Sequence, residues 1–386
     1  MHTSHRTQLF TESVIREMTR VAQEHDAINL AQGFPDFPAP DLLKEAAASA
    51  IHSDINQYAI TWGAKRLRDA VAVKYYDWYG MDVNPETEVT VTCGATEAMV
   101  SVMLAVVDPG EEVIVFEPFY ENYDRDTLLC GAEPVYVPMW GREDLDLERL
   151  SAAFSDRTRA IVLNTPNNPT GRVVSRRDLE GIAELCRRHD AYAITDEIYE
   201  HIYYEGEHIP MATLEGMRDR TITVSGASKT FAVTGWRVGT IVAPPEATAA
   251  IRKVHDFLTV GAPAPLQEAV AVAMETLGPD YYTHMARHYQ ARRDLLISGL
   301  QTAGFRCEPP EGSYYVLCDF RDLSDLPDDE FAVWLTAEHG VASVPGSSFF
   351  LDPSDGRHLV RFAFCKTEEL LREAVERLRA VRTSSG

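Results

Sequence analysis

The chain has 386 residues, 45% apolar and 25% charged, which suffices for a large buried core and predicts two domains, or one large domain with an annexe. A formal charge of −23 opposes a nucleic-acid backbone, so small molecules are the expected ligands. The six cysteines (Cys93, Cys130, Cys186, Cys307, Cys318 and Cys365) form no CxxC pair, which argues against disulfides and a zinc site; no run nears the ~20 apolar residues of a membrane span, and MHTSHRTQLF lacks a signal-peptide core. A cytoplasmic protein with no metal and no membrane anchor is expected.

In chain order, EVTVTC (88–93) reads as the first strong strand, followed by the helical run EAMVSVMLAVV (97–107). Between them CGATEAM (93–99) strips the chain to small residues. That turn leaves backbone N–H groups free at a positive dipole end and suits a phosphate, although any α/β protein has such turns. EVIVFEP (112–118) and AIVLNTP (160–166) are the next strands, the second running into NTPNNPTG (164–171), which by itself is ordinary turn chemistry. The segment SRRDLEGIAELCRRHD (175–190) has helical spacing. AYAITDE (191–197) is another strand, and TDEIYE (195–200) places Asp196 at its end, where a helix N-cap at Thr195 or Asp196 is the plain alternative to a functional carboxylate. TITVSG (221–226) leads into ASKTFAVTGWRVG, with Lys229 among small residues and Arg237 eight positions later, before VGTIVAPP (238–245).

Strands alternating with helices predict an α/β fold, a mainly parallel sheet with helices on both faces. Ligands of such sheets sit beyond the strands' carboxyl ends, where Gly94–Thr96, Pro118–Tyr120, Asn164–Gly171, Asp196–Tyr199 and Ser225–Lys229 all fall. Near residue 280 the texture changes, and 281–386 reads as helices with a few strands, a smaller α+β domain. The expected division is an arm and part of the small domain in 1–40, a large domain in 41–280 and the small C-terminal domain in 281–386.

An amine, a carboxylate, a tyrosine, an asparagine and an arginine gathered at one sheet edge match the needs of pyridoxal phosphate: an amine for its aldehyde, a carboxylate for its ring nitrogen, and donors for its phenolic oxygen and phosphate. GASKTFAVTGWRVG (226–239), NNPTG, DEIY and RFAF (361–364) resemble, in order and spacing, the class I pyridoxal-phosphate aminotransferases of fold type I, over essentially the whole chain. The resemblance implies that Lys229 holds the cofactor as a Schiff base and shuttles a proton, and that Asp196 pairs with the ring nitrogen. It implies that Asn168 and Tyr199 bond the phenolic oxygen and Tyr120 stacks on the ring. Gly94, Ala95 and Thr96, with Ser228 and Arg237, would hold the phosphate. Arg361 would grip the substrate α-carboxylate, assisted by Asn168 and the backbone of Gly33. Many relatives carry a serine where this chain has Gly226.

INLAQGFPDFPAP (28–40) and NQYAITWG (56–63) look like the branch of kynurenine/glutamine and methionine aminotransferases, in which the residue matching Tyr58 reaches the partner's cofactor phosphate. A homodimer is implied. Ile15, Val260 and Gly261 replace the tryptophan, phenylalanine and histidine of kynurenine-type relatives, which implies a roomier apolar pocket. HDFLTVGAPAP (255–265) carries no arginine or lysine for an acidic side chain. Transfer of the amino group of a neutral L-amino acid, methionine-, glutamine- or aromatic-like, to a 2-oxo acid is the expected reaction. A specialised lyase, oxidase or cyclase of the same fold would keep nearly all these residues. A nicotinamide dehydrogenase is excluded by the lack of a GxGxxG after the first strong strand.

Overall fold

A computed structural model describes residues 2–140 and 144–381. The chain enters through the helix Val14–Glu24 and the two-residue strand β1 (Ile28–Asn29). It then builds a seven-stranded sheet from β2 (Val89–Thr92), β3 (Glu112–Glu117), β4 (Glu133–Pro138), β5 (Thr158–Asn164), β6 (Tyr192–Asp196), β7 (Thr221–Gly226) and β8 (Gly239–Val242). The spatial order is β2-β8-β7-β6-β5-β3-β4, and only β8 runs antiparallel to its neighbours.

The sheet forms because its strands are apolar on both faces, as helices on each side require. Along β3, Val113 and Val115 join one core cluster with Met99, Val102 and Ile222, while Ile114 and Phe116 join another with Leu179 and Ile182. That alternation follows from the two-residue period of a strand. Burying each such Val, Ile or Phe stabilises the fold by about 1.5–3 kcal/mol. The helix Arg176–Arg188 starts where its sequence says it should: the Ser175 hydroxyl accepts from the Asp178 N–H at 3.1 Å.

Strand β4 does not announce itself in the sequence. EPVYVP carries prolines at its second and last positions and buries only Val137 fully, because it lies at the sheet edge. Proline is tolerated there, where a strand is paired on one side only.

The C-terminal part adds β9 (Tyr315–Asp319), β10 (Val341–Ala342), β11 (Val344–Pro345) and β12 (Leu359–Ala363), with β12 central in an antiparallel three-stranded sheet. The helices Pro279–Ala303, Asp328–His339 and Glu368–Arg379 accompany it. β1 pairs parallel with β10, and Met18, Ala22, Ile28 and Leu30 share one core cluster with Leu296, Phe331 and Phe362. Chain ends far apart in sequence therefore enclose the same core. Among the described residues, no helix is long and apolar enough to cross a membrane.

Candidate active site

The carboxyl ends of β2, β3, β5, β6 and β7 lie on one edge of the large sheet, and a cavity of about 350 Å³ opens there. It brings together Lys229, Asp196, Tyr199, Asn168, Tyr120 and Ser228 from the sheet edge with Ala95, Thr96 and Arg237 at one end and Gly33 and Arg361 at the other. Gly94 sits directly behind, as the N-cap of the helix Ala95–Val106. Tyr58 is not part of this chain's cavity: it is 87% exposed.

Asp196 is the last residue of β6 and is buried. Its Oδ2 accepts from the Tyr123 hydroxyl at 2.7 Å and its Oδ1 from the Ile198 N–H at 3.2 Å. No helix begins at this point, so the N-cap alternative is not what places the carboxylate. Burial pushes its pKa above the usual carboxylate range, against the Tyr123 hydroxyl, the Ile198 N–H and Lys229. Such a group gains from a cation placed against it. Asn164, which ends β5, donates to the Asp196 carbonyl at 2.9 Å and accepts from the Asn168 N–H at 2.7 Å, locking two predicted site residues into one frame.

β7 runs into the single helical turn Ala227–Thr230, which presents Lys229. The amine donates to the Gly33 carbonyl at 3.3 Å and lies 5.9 and 5.6 Å from the ring centres of Tyr199 and Tyr314. Burial pulls its pKa from 10.5 down to about 8, with Arg237 and Arg361 acting in the same direction and Asp196 against them. A fraction of free amine is thus present near neutrality. A Cβ on Gly226 would lie 2.7 Å from the Val238 carbonyl and 2.9 Å from the Gly239 Cα, so this backbone has no room for a serine there. The preceding Ser225 hydroxyl is taken up by Glu200 at 2.6 Å.

At one end of the cavity, the first turn of Ala95–Val106 leaves N–H groups without intrahelical partners. Gly94 has φ 82°, and a Cβ at this position would collide with the Arg237 guanidinium. A Cβ on Gly239 would lie 2.8 Å from the Ala95 nitrogen. The two glycines bring guanidinium and helix terminus together, and Arg237 is further held by a 2.9 Å bond to the Thr234 carbonyl. Cation, free N–H groups and the Ser228 hydroxyl make a cradle that fits a phosphate.

At the other end, Arg361 on β12 is fully buried, its Nη1 donating to Asn168 Oδ1 at 2.8 Å and its Nη2 to the Ala31 carbonyl at 2.6 Å. The guanidinium stands 4.3 Å from the Tyr315 ring centre and 5.1 Å from that of Phe349, and its Nε has no partner. A buried cation with no carboxylate bonded to it favours an incoming anion. Phosphate cradle, buried aspartate, poised amine and carboxylate fork together fit pyridoxal 5′-phosphate and an amino acid bound to it.

Several residues of the site escape sequence reading. Tyr123 could have been found from its i+3 spacing to Tyr120 at the start of the helix Glu121–Cys130, which sets both rings on one face, 5.8 Å apart. Asn164 carried only a strand-end signal. Arg16, on the first turn of Val14–Glu24, lines the cavity mouth near Glu121, whose carboxylate accepts from Ser13 at 2.5 Å; nothing local in the sequence ties it to a site 200 residues on. Among the described residues no cluster of His, Cys, Asp and Glu is built to hold a metal.

The sequence pattern of the family described as "Aminotransferase class I and II" matches residues 25–378. The probable N-succinyldiaminopimelate aminotransferase of Mycobacterium tuberculosis is 40% identical over 387 residues, covering 97% of each chain. The methionine aminotransferase of Escherichia coli is 38% identical, covering 95% of each. The solved structure of the N-succinyldiaminopimelate aminotransferase from M. tuberculosis superposes with a TM-score of 0.95 at 39% identity, covering 98% of this chain and all of that one. With an α/β fold of this kind and matches along nearly its whole length, the chain belongs to the class I and II aminotransferases, enzymes that depend on pyridoxal 5′-phosphate.

Proposed function

We propose that this aminotransferase moves the amino group of a neutral L-amino acid, methionine-, glutamine- or aromatic-like, to a 2-oxo acid, with Lys229 as the reacting amine. The observation that carries the proposal is the cavity itself. Its buried end holds Arg361 with an unpartnered Nε, while Ile15, Phe34 and Met99 supply apolar patches to a wall that is otherwise polar.

When bound, pyridoxal 5′-phosphate supplies a ring that takes up the electron pair left as the donor's Cα–H bond breaks. Lys229, whose amine is held by burial at a pKa of about 8, would take up the proton leaving Cα and hand it back. Asp196 would keep the ring nitrogen protonated, an arrangement favoured because its buried carboxylate is bonded to no cation of the protein. Tyr123 keeps one lobe of that carboxylate engaged and so fixes the direction of the other. Asn168 accepts from Arg361 through its Oδ1, which leaves its amide N–H groups to bond the phenolic oxygen, as the Tyr199 hydroxyl would from the same cavity wall. Arg361 orients the donor's α-carboxylate, with Gly33 at the same end. Gly94, Ala95, Thr96, Ser228 and Arg237 would hold the phosphate.

We place this chemistry in a cytoplasmic homodimer with the domains 1–40, 41–280 and 281–386. In support, Tyr58 and Phe257 are 87% and 92% exposed, with Ile60, Leu258 and Val260 also open, an apolar face that a second copy would cover. The core shared by the N-terminal arm and the C-terminal segment supports the division.

Arg16 at the cavity mouth favours a second reading, a longer donor with a distal carboxylate. A panel of amino-donor half-reactions, followed by loss of cofactor absorbance, separates the two. Neutral donors are expected to react fastest, with discrimination of about 1–3 kcal/mol per methylene. Fastest reaction of a long dicarboxylate, lost in Arg16→Gln, would give the second reading; aspartate ahead of all others would defeat both.

A further inference from the structure

The helix that carries the phosphate cradle also carries a carboxylate in its first turn, Glu97. Its Oε2 accepts from the Cys93 N–H at 3.0 Å, and the Ser101 hydroxyl bonds its other oxygen. The bond resembles a capping box displaced by one residue, since it reaches the N–H that precedes the N-cap Gly94, whose own N–H is held by the Thr92 carbonyl at 2.8 Å. A carboxylate there stabilises the helix, yet it uses the same positive helix end that a phosphate would use and repels one electrostatically.

His255 answers that charge. It is fully buried, on the helix Pro245–Thr259, and its Nδ1 stands 3.0 and 3.1 Å from the two oxygens of Glu97, with the Thr259 hydroxyl at 3.3 Å. Its Nε2 meets the Thr61 carbonyl at 2.9 Å. A carbonyl oxygen can only accept, so Nε2 carries a proton, and a carboxylate on the other side calls for a second. Burial works against the charged ring, but Glu97 outweighs it and raises the pKa. The Cys93 thiol, on the same turn, donates to the Gly261 carbonyl at 3.4 Å. The contacts thus join the cradle helix to segment 58–63 and to residues 260–262, which border the exposed apolar face.

We infer that His255 is a positioning residue for cofactor binding, an imidazolium that neutralises Glu97 so that the Ala95–Val106 helix end can accept a phosphate. The inference rests on the phosphate-cradle reading above, and its test is selectivity for the phosphate group. Affinities for pyridoxal 5′-phosphate and for pyridoxal, which lacks the phosphate, are measured on the cofactor-stripped full chain. His255→Gln leaves Glu97 uncompensated and is expected to weaken pyridoxal 5′-phosphate roughly tenfold while leaving pyridoxal unchanged. Glu97→Gln combined with His255→Gln removes both charges and is expected to restore the wild-type preference to within about twofold. Equal weakening of both ligands in His255→Gln, or a double variant that selects phosphate less well than the single one, would overturn the inference. Should His255→Gln fail to fold, the double variant decides alone: retained preference supports the account and lost preference overturns it. If the unmodified chain itself showed no preference for the phosphate-bearing ligand, the cradle reading would fall first, and the inference with it.

Discussion

Of the three buried carboxylates at the end of β6, Asp196 and Glu200 stand four residues apart and have opposite surroundings. Glu200 is closed in. Lys74 donates to it at 2.5 Å, Tyr79 at 2.7 Å and Ser225 at 2.6 Å, and although burial opposes its ionisation, Lys74 and its other partners hold its pKa well below the usual range. Beside it, burial keeps His201 neutral, with a pKa of about 3. Asp196 is left open: one hydroxyl, one backbone N–H and a raised pKa, on the wall of a 350 Å³ cavity. Charge type and depth are alike, so what separates structural from chemical service is whether the surrounding fold completes the coordination. Glu200 needs nothing further, whereas Asp196 and the Arg361 Nε leave positions open that, on the proposed reading, a ligand fills.

The comparison can be broken at either side. The largest effect is expected from Lys229→Ala, which on the proposed reading removes both the Schiff-base amine and the proton carrier: steady-state turnover should fall by about 10⁴-fold or more with the fold unchanged by circular dichroism. The amine also sets a pH dependence. Because its pKa is depressed to about 8, capture of pyridoxal 5′-phosphate by the stripped chain should speed up as pH rises through that value, as stopped-flow absorbance would show. The reverse trend would mean the charged amine is the competent form.

On the closed side, Lys74→Met strands Glu200 and should cost about 3–5 kcal/mol in urea unfolding. Turnover of the molecules that remain folded should change little. A large loss of turnover without loss of stability would erase the distinction between the two carboxylates.

On the open side, Asp196→Asn keeps the shape but not the charge, and turnover should drop by about 10²–10³-fold. Stability should hold or rise, because a buried carboxylate that lacks a cation is costly. A variant less stable yet fully active would return Asp196 to a structural role. The smallest effect is expected from Tyr123→Phe. Losing one hydrogen bond to a charged group is worth about 1.5–3 kcal/mol, so kcat should fall by roughly 10–100-fold with KM for the donor little changed. An increase in KM alone would show that Tyr123 serves the substrate and not Asp196.

The sequence made much of this legible for definite reasons. Continuous apolar runs bounded by small residues located β2, β3, β5, β6, β7 and β8, and the rule that ligands gather at carboxyl ends pointed to the cavity now seen there. Local composition could not show β4, whose prolines and half-exposed residues suit an edge. Nor could it show contacts between distant segments. That Arg361 shares its guanidinium between Asn168 and Ala31, or that Arg16 reaches the same cavity, depends on β1 pairing with β10 and on a core shared by both chain ends. Residues 255–265 carry no arginine or lysine, while Arg16, from the opposite end of the chain, lines the cavity. Lys229 was conspicuous because small residues surround it; Tyr123 and His255 were not, because each acts through a partner more than 70 residues away.

The central claim is that the open cluster around Lys229 and Asp196 carries the reaction, and borohydride reduction of the cofactor-loaded enzyme followed by peptide mass spectrometry tests it most directly. The account predicts one phosphopyridoxyl group per chain, on Lys229, with amino-acid donors protecting against the label and Lys74 unmodified throughout. An active enzyme labelled at another lysine, or one that resists labelling while it transaminates, would contradict it.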